Sequence, residues 1–268
     1  MKQLLLTLVL LLSSTCWAGQ LRIAGSTSIE PVMTQIVRLY RQEYPAASIR
    51  ITAGGTAAGI AALLAGEADI AMSSRFIQAA ELQQARRLGI YPVPFQIAHD
   101  AIAPVAHARN PLRNLSMAQL RAIYLGEIDN WQQLGGADAP IELICRDQDS
   151  GTHATWEQLV LQGQASTACH TTAPSTQAVI RAVRARRNAL GYVSLAHLNA
   201  HARVRPLQVD QQACTPACVQ SGCYPITRSL FLFSNDWPDE QILSFIHFVQ
   251  HAPAARKAIS AAGLIPTH

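Results

Sequence analysis

Charged side chains, and lysine above all, are scarce in this chain. Asp, Glu, Lys and Arg make up 14% of the 268 residues, and Lys2 and Lys257 are the only lysines among 21 basic residues. The formal net charge of +4 is too small to predict nucleic-acid binding, although it suits the attraction of a small anion. The sequence also lacks internal repeats, heptads and low-complexity tracts. After the first residues, no uninterrupted apolar run is long enough for a membrane helix.

The first 18 residues have the pattern of a secretory signal. Lys2 supplies a positive start, residues 4–12 form an apolar core, and the segment ends at Cys16-Trp17-Ala18. We therefore interpret this segment as an export signal and not as a buried core helix, and we expect the protein in the periplasm. Cys16 is not expected to carry a lipid, because Thr15 precedes it instead of Gly, Ala or Ser.

Five cysteines remain after this segment, and in an oxidising compartment they should pair and leave one over. The sequence does not choose the pairing of Cys145, Cys169, Cys214, Cys218 and Cys223. The last three lie in an irregular loop, residues 211–223, where we expect at least one local bridge. The alternative, a zinc knuckle, lacks a convincing fourth ligand.

Strand-like and helix-like segments alternate along the chain. Residues 21–24, 48–52 and 69–72 read as strands, and apolar residues at helical spacing between residues 29 and 65 predict two intervening helices. This alternation predicts an α/β fold with helices on both faces of a sheet. The extended runs 97–106 and 224–233 read as crossings between two lobes. We expect residues 19–99 and 226–268 in lobe 1 and residues 100–225 in lobe 2.

A polar corner at residues 146–152 is the most informative motif. It follows a strand-like run and precedes a helix-like run, so the hydroxyls of Ser150 and Thr152 lie at a helix start. A helix start carries partial positive charge and unpaired N–H donors, which suits an anion. Arg146 adds a planar fork of donors nearby.

Similar corners occur at residues 25–28 and 54–59, and a strand runs directly into Ser73-Ser74-Arg75. Ligands of α/β sheets tend to bind at the carboxyl ends of strands, where helices begin. Two lobes joined by two crossings would bring the corner at 146–152 opposite the others. The sequence therefore predicts one tetrahedral oxyanion held from several sides.

Several short motifs stand in order along nearly the whole chain after residue 18. They are GSTSIEP (25–31), GTAAGI (55–60), ADIAMSSR (68–75), QLRAIYLG (119–126) with NW (130–131), Arg146 with SGT (150–152), LGYVSL (190–195) and YPI (224–226). Their order and spacing resemble the phosphate-binding periplasmic proteins, the solute receptors of phosphate ABC importers. The resemblance implies a two-lobed α/β fold of the type II periplasmic-binding-protein kind, with the ligand between the lobes.

The resemblance also implies inorganic phosphate and a membrane permease as partners. We expect a monomer without a cofactor, a metal, a catalytic residue or a nucleic-acid partner. In this family the arginine and the Ser-Gly-Thr motif bind phosphate oxygens, and the other corners add hydroxyl and amide donors. The predicted phosphate-binding residues are Ser26, Thr27, Ser28, Gly55, Thr56, Ser73, Ser74, Arg75, Asp100, Arg146, Ser150, Gly151 and Thr152.

The chain departs from the family pattern in two places. An aspartate often follows the third strand and accepts the proton of hydrogen phosphate, where this chain has Ser73-Ser74-Arg75. Ala57-Ala58 also replaces residues that are commonly serine or glycine. Asp100, at the start of a crossing, is our hypothesis for the proton acceptor, because a buried carboxylate would accept phosphate and repel sulfate.

Other functions stay open at this level. Ser150, His153 and Asp147 or Asp149 include the residue types of a hydrolase triad, although no nucleophile elbow is present. The receptor could instead bind sulfate, molybdate or tungstate, or a surface or signalling protein could reuse the fold. The histidine pairs 197/201 and 247/251 and the arginines of residues 181–187 are interpreted as solvated surfaces, and Trp131 and Trp156 as packing residues.

Overall fold

The computed structural model describes residues 19–200 and 204–267, so the predicted signal segment lies outside the described residues. The strands are β1 (Leu21–Gly25), β2 (Ile49–Ala53), β3 (Ile70–Ser73), β4 (Pro92–His107), β5 (Asn114–Leu115), β6 (Glu142–Arg146), β7 (Thr171–Ala173), β8 (Ala189–Ser194), β9 (Val204–Pro206), β10 (Gln208–Val209), β11 (Thr227–Asn235) and β12 (Ile265–Pro266). The helices are α1 (Glu30–Glu43), α2 (Thr56–Leu64), α3 (Ala79–Arg87), α4 (Met117–Tyr124), α5 (Gly151–Leu159), α6 (Thr176–Ala185), α7 (Pro216–Ser221), α8 (Glu240–His251) and α9 (Pro253–Ala261). Short 3-10 helices span Trp131–Leu134 and Leu195–Ala200.

The main sheet runs in the order β2-β1-β3-β11-β4-β8-β6-β7. Strands β1, β2 and β3 are parallel at one end, and β6, β7 and β8 are parallel at the other. The long strand β4 joins the two halves: its residues 92–101 pair with β11, and its residues 102–106 pair with β8. The predicted crossing at 97–106 therefore lies in β4, and the one at 224–233 lies in β11 from Thr227 onward.

Helices cover both faces of the sheet, as the alternation of segments predicts. Ile70 and Met72 of β3 pack in the core cluster that contains α1, α8 and α9, whereas Ala71 packs with α2 and α3. Neighbouring strand residues point to opposite faces, so these helices must lie on opposite sides of lobe 1. In lobe 2, Leu143 and Ile144 of β6 divide in the same way between two clusters.

The sequence explains where the helices begin and end. The buried face of α1 repeats at helical spacing from Val32 to Tyr40, and the helix ends before Pro45. Ser116 caps α4 by accepting a hydrogen bond from the N–H of Gln119. Ser150 caps α5 in the same way through the N–H of His153. Sequence-level capping signals therefore fix the start of the helix that follows the most informative corner.

The cysteine-rich segment is more ordered than the sequence indicates. Residues 211–223, interpreted as irregular, contain α7, which Thr215 caps and Gly222 ends in a left-handed conformation. Disulfides join Cys145 to Cys169 and Cys218 to Cys223, and Cys214 is a free thiol. The expected local bridge is confirmed. Because two of the three local cysteines form a disulfide, they cannot serve as thiolate ligands of a zinc knuckle.

Burial distinguishes the aromatic and histidine side chains. Trp131 and Trp156 lie in the core, which confirms that they are packing residues. His197 is buried, so its interpretation as a solvated residue is wrong, whereas His247 and His251 are exposed. Its predicted partner, residue 201, lies outside the described residues. Within 19–200 and 204–267, no helix combines the length and the apolar character needed to cross a membrane.

Candidate functional site

A cluster of buried hydroxyl groups lies where the two lobes meet. The Ser26 and Ser74 hydroxyls are hydrogen-bonded to each other within lobe 1. Ser28 Oγ lies 3.1 Å from Thr152 Oγ1 and 3.3 Å from Thr176 Oγ1, both of which belong to lobe 2. The turns that contain residues 26–28, 74 and 150–152 therefore lie next to one another in the structure.

The corner at Gly55-Thr56 joins the same cluster. Thr56 Oγ1 accepts a hydrogen bond from the N–H of Ser74 at 3.0 Å. The N–H of Ala57 donates to the carbonyl of Asp149 at 3.0 Å, which links the start of α2 to the residue before the cap of α5. These contacts bring the N-terminal ends of two helices, one from each lobe, to the same place.

Two glycines allow the lobes to approach so closely. A Cβ on Gly55 would lie 2.8 Å from the carbonyl oxygen of Asp149, and the φ of Gly55 is +102°. A Cβ on Gly151 would lie 2.5 Å from Thr56 Oγ1 and 3.1 Å from Ser74 Cβ. Both positions therefore require glycine when the lobes are in contact.

Arg146 lies at the end of β6 and is 3% exposed. Its Nε donates to the carbonyl of Ala173 at 3.0 Å, its Nη1 to Thr176 Oγ1 at 3.3 Å, and its Nη2 to the carbonyl of Pro174 at 3.3 Å. Burial lowers the pKa of Arg146, and the nearby charge of Arg228 acts in the same direction. The guanidinium is thus held beside the hydroxyl cluster by neutral acceptors.

Arg228, on β11, is a second buried arginine of this cluster that the sequence analysis did not identify. Its Nη1 donates to Thr152 Oγ1 at 2.9 Å. Its Nε and Nη2 donate to Asp100 Oδ2 at 2.9 and 2.8 Å. The preceding motif YPI at 224–226 was the nearest available signal, but it does not include this residue.

Asp100 has a different set of partners from those expected. Its Oδ2 is taken up by Arg228, and its Oδ1 accepts the hydroxyl of Ser194 at 2.9 Å. The carboxylate is fully buried. Asp100 therefore holds Arg228, and Arg228 contacts the Ser-Gly-Thr motif. The role of Asp100 as an acceptor of a ligand proton stays a prediction.

Two other predicted residues stay apart from the cluster. Arg75 forms a two-pronged ion pair with Glu81, with Nη–Oε distances of 2.7 and 2.6 Å. Ser73 donates its hydroxyl to the carbonyl of Arg75 at 2.6 Å and so stabilises its own turn. In the segment 73–75, which the structure describes fully, Ser74 is the residue that is hydrogen-bonded to the hydroxyl cluster. Thr27 lies between Ser26 and Ser28 in the same buried turn.

Thr176 is the other residue that sequence reasoning missed. It is the first residue of α6, follows the cap Ser175, and contacts both Ser28 and Arg146. Its Ser-Thr pair at a helix start carried the same signal as the recognised corners. Three helices, α2, α5 and α6, therefore begin at buried threonines or glycines of the cluster.

The charges in this cluster favour an anion. The carboxylate of Asp100 neutralises Arg228 at 2.8 Å. Arg146 has a more distant acidic partner, since its Nη2 lies 3.5 Å from Oδ1 of Asp147. Burial raises the pKa of Asp147, while the charge of Arg146 acts in the opposite direction. A buried arginine beside helix N-termini and hydroxyl donors is a suitable site for a small oxyanion.

The geometry does not form a nucleophilic triad. Ser150 Oγ accepts the backbone N–H of His153, while the imidazole of His153 faces Tyr192 and Glu157. No hydrogen bond joins the serine hydroxyl to the imidazole, as activation of a serine nucleophile would require. In the part of the chain that the structure describes, no group of three or more His, Cys, Asp or Glu side chains is placed to hold a metal.

Comparison with known proteins identifies the family. The model of the PBP superfamily domain matches residues 13–252. The chain is 27% identical over 249 residues to the phosphate-binding protein PstS of Bacillus subtilis, covering 93% of this chain and 81% of the relative. It is 26% identical over 242 residues to PstS of Pseudomonas aeruginosa, covering 84% of this chain and 75% of the relative.

Solved structures agree with this result. A Clostridium perfringens protein, called a phosphate ABC transporter substrate-binding protein and solved with bound phosphate, is 30% identical with a TM-score of 0.85 and matches 93% of this chain and 100% of its own. An ABC-type phosphate transport receptor from Vibrio cholerae is 30% identical with a TM-score of 0.73 and matches 91% of this chain and 99% of its own. The predicted two-lobed α/β fold class is thereby confirmed, and the chain belongs to the PBP superfamily.

Proposed function

We propose that this protein is an exported receptor that binds inorganic phosphate between its two lobes and delivers it to the membrane permease of an ABC importer. It works as a monomer in the periplasm and catalyses no reaction. The lobes divide near residues 99/100 and 225/226. The family and the names of the relatives that match most of this chain support this function.

The observation that carries the proposal is the convergence of donors from both lobes. An oxyanion that leaves water must regain its hydrogen bonds from the protein, and hydroxyl, amide and guanidinium groups supply them. The proposed phosphate-binding residues are Ser26, Thr27, Ser28, Gly55, Thr56, Ser74, Arg146, Ser150, Gly151, Thr152, Thr176 and Arg228. Ser73, Arg75 and Asp100 support neighbouring segments of the site.

Closure follows from the same arrangement. An anion that contacts both lobes interacts with more groups in the closed form than in the open form, so it shifts the population toward closure. The permease would then recognise the closed, loaded receptor. Release requires the lobes to separate, because the cluster is buried.

Isothermal titration calorimetry with phosphate, sulfate and molybdate tests the function directly. We expect phosphate to bind most tightly and to compact the protein in small-angle X-ray scattering. Tighter binding of sulfate or molybdate would favour the alternative oxyanion receptor. Absence of binding for all three anions would contradict the proposed function.

Gly151→Ala is expected to weaken phosphate binding by about 10-fold or more without reducing the stability of the phosphate-free protein. The added methyl group would overlap Thr56 Oγ1 of the other lobe at 2.5 Å, so its steric cost falls on the closed form. Alanine is also a better helix former than glycine at this helical position. Calorimetry gives the affinity, and thermal unfolding without phosphate gives the stability.

Gly54→Ala is the matched control for this experiment. A Cβ at residue 54 would meet only Ala58 Cβ, at 3.4 Å, which is an ordinary contact. The control should bind phosphate within about twofold of the unaltered protein. Equal affinities of the two variants would show that the lobes do not come into contact at Gly151 and Thr56 when phosphate binds.

A further inference from the structure

His153 follows the Ser-Gly-Thr motif directly, yet neither the motif nor the cluster of hydroxyls accounts for it. Its side chain is 13% exposed. Its Nδ1 lies 3.0 Å from the hydroxyl of Tyr192, and its Nε2 lies 3.3 Å from Glu157 Oε1. The imidazole is thus held between a buried tyrosine of β8 and an acid one turn further along α5.

The Tyr192 hydroxyl connects His153 to Arg146. Its oxygen accepts the backbone N–H of Arg146 at 3.1 Å. The ring of Tyr192 is 1% exposed and stacks on Trp156, with centroids 4.4 Å apart and planes 7° apart. A rigid, stacked ring holds this hydroxyl at the point where β6 ends and the Arg146 guanidinium begins to extend toward the cluster.

The donors and acceptors in this chain of contacts determine one tautomer. Because the Tyr192 oxygen accepts from Arg146, the hydroxyl proton is available to donate to Nδ1 of His153. Among the described residues, the tyrosine hydroxyl has these two partners. Nδ1 must then carry no proton, so a neutral imidazole carries it on Nε2, facing Glu157.

We propose that His153 is a positioning residue of the anion site, which in its neutral Nε2–H form holds the Tyr192 hydroxyl toward the backbone N–H of Arg146. This inference rests on the proposed function, since Arg146 is its phosphate-binding guanidinium. Protonation at Nδ1 would place two N–H donors at the Tyr192 oxygen and leave its hydroxyl proton without an acceptor, a cost for a buried group.

The surrounding charges set the direction of the pH effect. Glu157 faces His153 from its own helix, Arg146 and Asp147 face it from the end of β6, and Tyr192 faces it from β8. Burial lowers the pKa of His153 from its usual 6.5, although Glu157 and Asp147 act in the opposite direction. The folded protein thus prefers the neutral form. The contribution of neutral His153 to positioning Tyr192 is fully present above pH 6.5. It is lost as the pH falls through the lowered pKa of His153.

Variants at residues 153 and 192 separate positioning from charge. In His153→Asn, the amide oxygen can replace Nδ1 as an acceptor and cannot titrate, so phosphate affinity at pH 7.5 should stay within about twofold. His153→Leu and Tyr192→Phe each break the connection and should lower the affinity about fivefold. Equal affinities for the His153→Leu variant and the unaltered protein would overturn the proposal.

The pH profile provides the second readout. Inorganic phosphate changes its own protonation with pH, so the ratio of the affinities of the unaltered protein and His153→Asn is the quantity to follow between pH 7.5 and 5. We expect this ratio to fall on acidification, and to reach a fall of about fivefold where His153 is fully protonated. A ratio that rises would mean that protonated His153 attracts the anion as a cation, which overturns the positioning role.

Nuclear magnetic resonance tests the tautomer without any ligand. Nitrogen-15 spectra of the phosphate-free protein at pH 7.5 should show one histidine with protonated Nε2 and bare Nδ1 whose signals disappear in His153→Asn. A proton on Nδ1 would overturn the inference. If the unaltered protein binds no phosphate, the proposed function fails, while the tautomer still decides whether His153 holds Tyr192.

Discussion

Replacement of Arg146 by alanine is expected to lower the affinity for phosphate by about 100-fold or more. Arg146 is a buried cation. Its guanidinium is held in the cluster by three neutral acceptors, which are the carbonyls of Ala173 and Pro174 and the hydroxyl of Thr176. Loss of one partner of a buried, charge-assisted contact costs about 3 kcal/mol, which is about 100-fold in affinity. Isothermal titration calorimetry at constant pH and salt measures this loss.

Two further variants make the result specific. Arg184, an exposed arginine of α6, provides the control: Arg184→Ala removes the same charge from the surface and should change the affinity by less than about threefold. Arg146→Lys keeps the charge and loses the planar fork, so it should fall between the alanine variant and the unaltered protein. Normal phosphate binding by a folded Arg146→Ala variant would contradict the proposed site.

The corners of the site could be predicted because each combines local signals. Ser150 is a helix cap by residue type, Thr152 stands in the first turn, and a strand-like run precedes both. The rule that ligands bind at the carboxyl ends of strands then places such corners together. The two-lobed fold was predictable for a similar reason, because long extended runs at 97–106 and 224–233 stand between segments with their own alternation of strands and helices.

The partners of individual charged residues could not be predicted in this way. Asp100 and Arg228 are 128 residues apart, and they meet only because β4 and β11 pair antiparallel in a register that aligns them. No local pattern indicates that register. Arg75 shows the opposite case, since Glu81 stands only six residues away at the start of α3 and the two meet through a local contact.

The Asp100–Arg228 pair gives the second large expected effect. Asp100→Asn keeps the size and shape of the side chain and removes its charge, so that Arg228 stays buried without a counter-charge. Breaking a buried ion pair at one partner destabilises a protein by about 3–5 kcal/mol. We expect a loss of this size in the free energy of unfolding by urea, measured without phosphate. Asp129→Asn, at an exposed acid outside the core clusters, should lower it by less than about 0.5 kcal/mol.

The same variant distinguishes support of the site from direct contact with the ligand. If Asp100 holds Arg228, then a bound phosphate replaces part of the missing negative charge, and phosphate should stabilise Asp100→Asn against heat more than it stabilises the unaltered protein. If Asp100 instead accepted the proton of hydrogen phosphate, the variant would lose affinity, and phosphate would stabilise it against heat less than it stabilises the unaltered protein. Arg228 donates twice to Oδ2 of Asp100 and Ser194 donates to Oδ1, so the carboxylate already serves a structural role and we expect the first result.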